Sequence, residues 1–328
     1  MCARHALADL NPAQQRVADG LLDLGGTRPP LDTDLGQRLA ASLGERTRWA
    51  VNALDEAGET LFVNKHAVAT VLACETRWRV GSDFAWSRAT ATGSIAHQAA
   101  ELLLMGKLGG APADAVDGIV ADLRGSDDSL GQFLDFASPT DLAAIRSAAI
   151  TNATTVVDGF PPIGRGWNAR AEQSYAANLG GRTIVLNARP DLAFGRPTGP
   201  DARSLLIDFK TGRPHQTHID DLRYYALVFT LRWGVPPWRI ATYYAVDGTW
   251  MAEDVDADVL DAAAHRLSDA ILRMAEIVAT NRPLGLTPHH GCNWCGLKDT
   301  CEGAAEWARL SVAETDLATY DDEDEAPF

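Results

Sequence analysis

Long apolar runs are missing from this chain. No stretch approaches the ~18 consecutive apolar residues that a bilayer span needs, which excludes a membrane partner reached through a spanning helix. The opening MCARHALADLNPAQQ has no apolar core of the kind a secretory signal carries, so the expected location is the cytoplasm. No GxxxxGK[ST] occurs anywhere. Without that phosphate-cradling loop, LNPAQQ marks a capped helix start and not the opening of a helicase motor. Cysteine is scarce, five in 328 residues, and in a reducing compartment those five are not expected to form disulfides. Basic residues are outnumbered, 29 Lys and Arg against 44 Asp and Glu, for a net charge of −15. On its face that argues against a polyanion as partner. No internal repeat is present.

Much of the acid excess sits in one place. Glu314, Asp316, Asp321, Asp322, Glu323, Asp324 and Glu325 fall within the last fifteen residues with no Lys or Arg among them. Residues 311–328 are therefore expected to be a solvated, disordered acidic tail. With 46% hydrophobic residues, the chain can bury one large core or two modest ones.

Hydrophobic periodicity divides the remainder. Residues 1–60 read as a helical extension, with Asn11 as N-cap and Pro12 at the first helical position. Residues 61–165 read as a helical lobe, with one helix at 65–80 carrying Cys74 and another at 90–107 carrying His97 and Glu101 one turn apart. An acid-rich helical stretch, 111–158, and the linker GFPPIGRGW close it. Residues 166–250 carry the strands NARAEQSYAAN, RTIVLNA, RPDLAFG and SLLIDFK. Ile219, Leu222, Ala226, Phe229 and Trp233 then mark an amphipathic helix, opened by Thr217 and ended by Pro236-Pro237, before the strand IATYYAV. That order makes the helix a crossover between strands. In 251–310, Leu260, Ala264, Leu267, Ile271 and Met274 mark a long helix leading to a cysteine cluster.

Two constellations carry chemistry. TIVLNA and SLLIDF are expected to pair as a hairpin, with alternation placing Asp208 and Lys210 on one face and Ile207 and Phe209 on the other. Asp191, expected at the turn-proximal end, would meet Asp208. Two carboxylates and a lysine suit a divalent metal and its water, although a polar sheet face with a surface salt bridge has the same residues. The second constellation is C-x2-C-x5-C at Cys292, Cys295 and Cys301, with Cys74 a distant fourth thiol. Four thiolates suit a [4Fe-4S] cluster or a tetrahedral zinc. One triplet plus a distant cysteine fits the cluster better than it fits the paired knuckles of zinc sites. Three unligated cysteines, or the cysteine pattern of the small WhiB-type regulators, are the competing accounts. Cys2, near a terminus, is expected to be unligated.

The order His97, Glu172, Asp191, Asp208-x-Lys210 and Tyr225, flanked by Cys74 and by Cys292, Cys295 and Cys301, resembles the PD-(D/E)XK nuclease superfamily. More narrowly, it looks like RecB-like exonucleases with a split iron–sulfur staple, of the AddB and CRISPR-associated types. The resemblance implies an α/β fold: a restriction-endonuclease-like mixed sheet flanked by helices, with a helical lobe and an iron–sulfur staple joining the N- and C-terminal parts. It implies His97, Asp191, Asp208 and the Phe209 carbonyl as ligands of Mg²⁺ or Mn²⁺. Lys210 would orient the attacking water, Glu172 would be the acid of the first core strand, and Tyr225 the tyrosine of a QLxxYA motif. Here that motif reads DLRYYA, with Asp221 at the glutamine position. The implied function is hydrolysis of DNA, on single strands or ends, in repair, recombination or defence. The chain has no motor of its own, so it would need a helicase partner or an already open end. Arg170, Arg182, Arg189, Arg196, Lys210 and Arg213 would supply positive field for phosphates, and Arg77, Trp78, Arg79 and Trp86 base stacking. The alternative is an inactive nuclease-fold scaffold that binds DNA.

Overall fold

The computed structural model describes residues 10–23, 32–81, 85–199 and 202–321. Cys2 and the tail end 322–328 lie outside the described residues. At the N-terminal end, Asn11 caps α1 (Pro12–Arg16) by accepting from the Gln14 amide, and a π-helical turn, Val17–Leu21, follows. Helix α2 (Leu35–Ala57) ends at Gly58, whose φ of +69° is the left-handed stop that glycine adopts without cost. Then come β1 (Leu61–Val63), α3 (Lys65–Ala73) and α4 (Glu75–Val80). Asn64 caps α3. Cys74, extended at φ −161°, breaks the expected single helix in two.

The lobe consists of α5 (Arg88–Leu104), α6 (Pro112–Arg124), α7 (Ser129–Phe136) and α8 (Pro139–Gly159). It buries its own apolar centre around Ile95, Val116, Leu134 and Ile145. Strands β2 (Arg170–Ala171), β3 (Tyr175–Leu179), β4 (Ile184–Ala188), β5 (Leu192–Arg196) and β6 (Arg203–Lys210) come next. Helix α9 (Thr217–Trp233), β7 (Arg239–Tyr244), β8 (Thr249–Asp254), α10 (Ala257–Thr280) and α11 (Glu302–Asp321) complete the chain. Helix α11 runs into the stretch expected as a disordered tail, which is therefore helical as far as residue 321.

Two sheets form. Strands β2-β5-β6-β7-β8 make the larger, and β1-β4-β3 the smaller. Strand β4 does not pair with β6. The hairpin partner of β6 is β5, in antiparallel register Leu192↔Ile207. The β6–α9–β7 unit is the expected parallel crossover.

Alternation along β6 sorts its side chains. Ile207 and Phe209 enter a core with Val156, Phe160 and Tyr243. Leu206 faces the opposite core of α2, α9 and α10. Helix α9 packs against strands of both sheets and against α2 and α10. Its middle, Tyr224–Thr230, is accordingly buried on every side, and the expected amphipathic stripe is absent. Gly234, at φ +77°, stops it before the two prolines are reached. No helix among the described residues is long and apolar enough to cross a membrane. The mixed α/β architecture is consistent with a restriction-endonuclease-like fold.

Candidate active site

Antiparallel pairing of β5 with β6 carries Asp191 to a point opposite Asp208. This is the open end of the hairpin, where β5 begins and β6 ends, and not the turn-proximal end expected from the sequence. Asp191 Oδ2 accepts from the Phe209 amide at 2.5 Å. From the lobe side, α5 brings His97 Nδ1 to 3.7 Å from the same oxygen, and the His97 ring also meets the Phe209 backbone. Glu101, one turn on, pairs with Lys107 at 2.6 Å and is near enough for its charge to act on Glu172. Glu172 stands just past β2 at φ +52°. Its amide donates to the Asp191 carbonyl at 2.9 Å, and its carboxylate meets Arg189 Nε at 2.6 Å. His97, Glu172, Asp191, Asp208 and Lys210 thus gather at one end of β6.

Asp208 is 2% exposed, and each of its oxygens faces a different ammonium. Lys210 lies in ion-pair contact with Oδ2. Lys65, from the first turn of α3, donates to Oδ1 at 3.2 Å and reaches Asp221 Oδ2 at 3.2 Å. Its Nζ stands 4.7 Å over the Tyr225 ring, and Tyr225 is itself buried. The sequence reading missed Lys65. Nothing in KHAVATVLA distinguishes it from an ordinary first-turn lysine; only the β1–α3 corner brings it to Asp208.

The electrostatics separate the two aspartates. Burial, and then the Asp208 charge, push the Asp191 carboxyl well above the ordinary range. Burial would do the same to Asp208, but Lys65 and Lys210 hold it below that range. Two carboxyls driven apart in this way are a recurring mark of catalytic sites. Burial lowers the His97 pKa, keeping the imidazole neutral and able to ligate. Burial raises Glu172 against the pull of Arg189. Around Lys65, burial opposes the charge, yet Asp208, Tyr225 and Asp221 outweigh it and raise its pKa.

A profile of the PD-(D/E)XK nuclease superfamily matches residues 65–302, well over half of the chain. The chain belongs to the PD-(D/E)XK nuclease superfamily. No curated protein sequence matches it. Among solved structures, the crystal structure of SSO0001 aligns over 79% of this chain and 96% of that one, at 14% identity and a TM-score of 0.32. A likeness that loose carries no argument.

Members of this superfamily typically use divalent metals such as Mg²⁺. In this PD-(D/E)XK chain the donor set of carboxylate oxygens and a neutral imidazole suits such an ion. Among the described residues, no group of three or more His, Cys, Asp and Glu is drawn together as a metal cage. At the carboxylates the reason is visible: Lys65 and Lys210 already stand against Asp208.

At the other end of α3, Cys74, Cys292, Cys295 and Cys301 are free thiols lining one cavity with Arg77, Leu297 and His289. Polar contacts join the two parts of the chain beside this cavity. Glu75 accepts from both terminal guanidinium nitrogens of Arg282 at 2.8 Å and from the Gly285 amide at 2.8 Å. Other expected DNA contacts are already engaged. Trp78 packs on the main core, Trp86 donates to Ser129 at 3.0 Å, and Arg170 is bonded to backbone carbonyls of Asn168 and Gly195. Arg182, Arg196 and Arg213 stay exposed.

Proposed function

We propose that this PD-(D/E)XK protein is a metal-dependent deoxyribonuclease of the RecB-like kind, acting on single-stranded DNA or DNA ends. The observation that carries this reading is the convergence of His97, Asp191, Asp208 and Lys210 at one end of β6. Asp191, Asp208, His97 and the Phe209 carbonyl would hold Mg²⁺ or Mn²⁺. Such an ion, when bound, polarises a phosphodiester and lowers the pKa of a water.

The residues supply the rest. Asp208, kept ionised by its two lysines, offers negative charge where a cation is required. Asp191 shares a proton economy with it and is fixed by the Phe209 amide. The Lys210 ammonium can turn from Asp208 Oδ2 toward an incoming oxygen, orienting a water and offsetting charge on the phosphate. Glu172 and Arg189 fasten the β2 end next to Asp191.

The test is DNA cleavage with Mg²⁺ or Mn²⁺. Lys210→Ala and Asp208→Ala are expected to lose about 10²-fold or more of the rate, as when a charge-stabilising group is removed. Cleavage by both at the wild-type rate would refute the assignment. Tight DNA binding without cleavage by the wild type would favour the scaffold alternative.

The four cysteines, sharing one cavity and free of disulfides, support a structural [4Fe-4S] cluster as a further part of this proposal. A helicase partner is proposed on the chain's lack of a motor motif. The domain boundaries at 60, 165, 250 and 310 stand as proposals too. The separate apolar centre of the lobe supports the boundary at 165.

A further inference from the structure

Two carboxylates from different elements share one cation in this molecule, and that cation is a side chain. Asp208 comes from β6, Asp221 from the first turns of α9, and Lys65 Nζ stands 3.2 Å from an oxygen of each. The ammonium is held there from several directions. Asn64 caps α3 by accepting from the Ala67 amide at 2.8 Å. The Tyr224 hydroxyl lies 2.8 Å from the Val63 carbonyl and 3.1 Å from that of Asn187, fixing the corner from which Lys65 departs. The Tyr225 ring backs the charge at 4.7 Å. The side chain of Lys65 is only 26% exposed and that of Asp208 3%, so the ammonium is a resident of the site and not a surface lysine passing by.

In two-metal phosphodiesterase sites, the ions lie ≈3.5–4 Å apart and clamp the attacking and leaving oxygens between them. A carboxylate that bridges two such ions needs both oxygens free for metal. Here Oδ1 of Asp208 is taken by Lys65. Its Oδ2 faces Lys210, the ammonium that the reading above turns toward an incoming oxygen, and Asp191 and His97 stand beside this end of β6. We infer that Lys65 fills the place of a second divalent cation, so that this site takes one metal ion, on the Asp191 and His97 side of Asp208. Asp221 is then the second carboxylate of the lysine's seat, and a positioning residue. The inference rests on the metal-dependent reading above.

The measurement is the number of Mn²⁺ ions bound per full-length chain, counted by electron paramagnetic resonance of free Mn²⁺ during titration. Counts are taken above the background of Asp208→Asn, which lacks the shared ligand. Wild type is expected to bind one ion. Lys65→Met is expected to bind two, and Lys65→Met combined with Asp221→Asn one again, since the new seat needs both carboxylates. Lys65→Gln, neutral and similar in length, is expected to bind two and carries the test should the methionine variant fail to fold. Two ions in the wild type, or one in both single Lys65 variants, would overturn the Lys65 assignment and leave the nuclease reading intact. No ion above background in the wild type would overturn both.

Discussion

At the level of single residues, the hairpin that presents the acids depends on one glycine. Gly195 sits at φ +80°, which L side chains resist, and a β-carbon there would run into the Arg203 carbonyl of the facing strand. Gly195→Ala is expected to cost about 1–3 kcal/mol from backbone strain, read as a lower midpoint in urea unfolding. An unchanged midpoint would mean that the turn relaxes freely. The acids themselves were legible beforehand. Asp208 and Lys210 on one face, and Ile207 and Phe209 on the other, follow from a period of two, and the structure buries Ile207 and Phe209 as that alternation requires. Lys65 was not legible. Its role depends on the β1–α3 corner meeting β6 and α9, which lie more than a hundred residues further along the sequence, and no local pattern encodes such a meeting.

Among the elements, the join between α4 and the segment after α10 has a measurable pH signature. The Arg282 guanidinium holds the Glu75 carboxyl down at about 2, against 4.5 without partners. A carboxyl with a lowered folded pKa contributes stability that is complete above the unfolded value and is lost as pH falls toward the folded one. Glu75→Gln is therefore expected to melt below wild type at neutral pH, with the gap closing between pH 4.5 and about 2. A gap that stays constant across that window would show that Glu75 acts through packing and not through charge. Two element-level expectations failed for physical reasons. The β-branched and leucine-rich run TIVLNA announces a strand but not its partner, and β4 pairs with β1 and β3 instead of β6. The apolar spacing in α9 was read as a stripe, but Tyr224, Tyr225, Leu227 and Val228 fill the other faces because sheet strands and two helices surround the helix.

For the molecule as a whole, the chain closes on itself where residues 74–76 meet 282–301. Protein purified without oxygen is expected to carry about four iron atoms per chain and a broad visible absorbance, as a cluster on four thiolates would give. Cys74→Ser should lose that iron, and one zinc per chain in colourless protein would replace the proposed cofactor without touching the nuclease proposal. The net charge of −15 remains compatible with a nucleic-acid substrate because the acids are unevenly spread and exposed arginines remain near the core sheet.

Helix α3 connects these two halves of the chemistry. It begins at Lys65, against the acids, and its last residue is followed by Cys74 in the thiol cavity. At 1.5 Å per residue, nine residues make a stiff rod about 13 Å long. A substitution at the Cys74 tip is therefore expected to shift the ammonium at the opposite tip, since a rod passes displacement along its length.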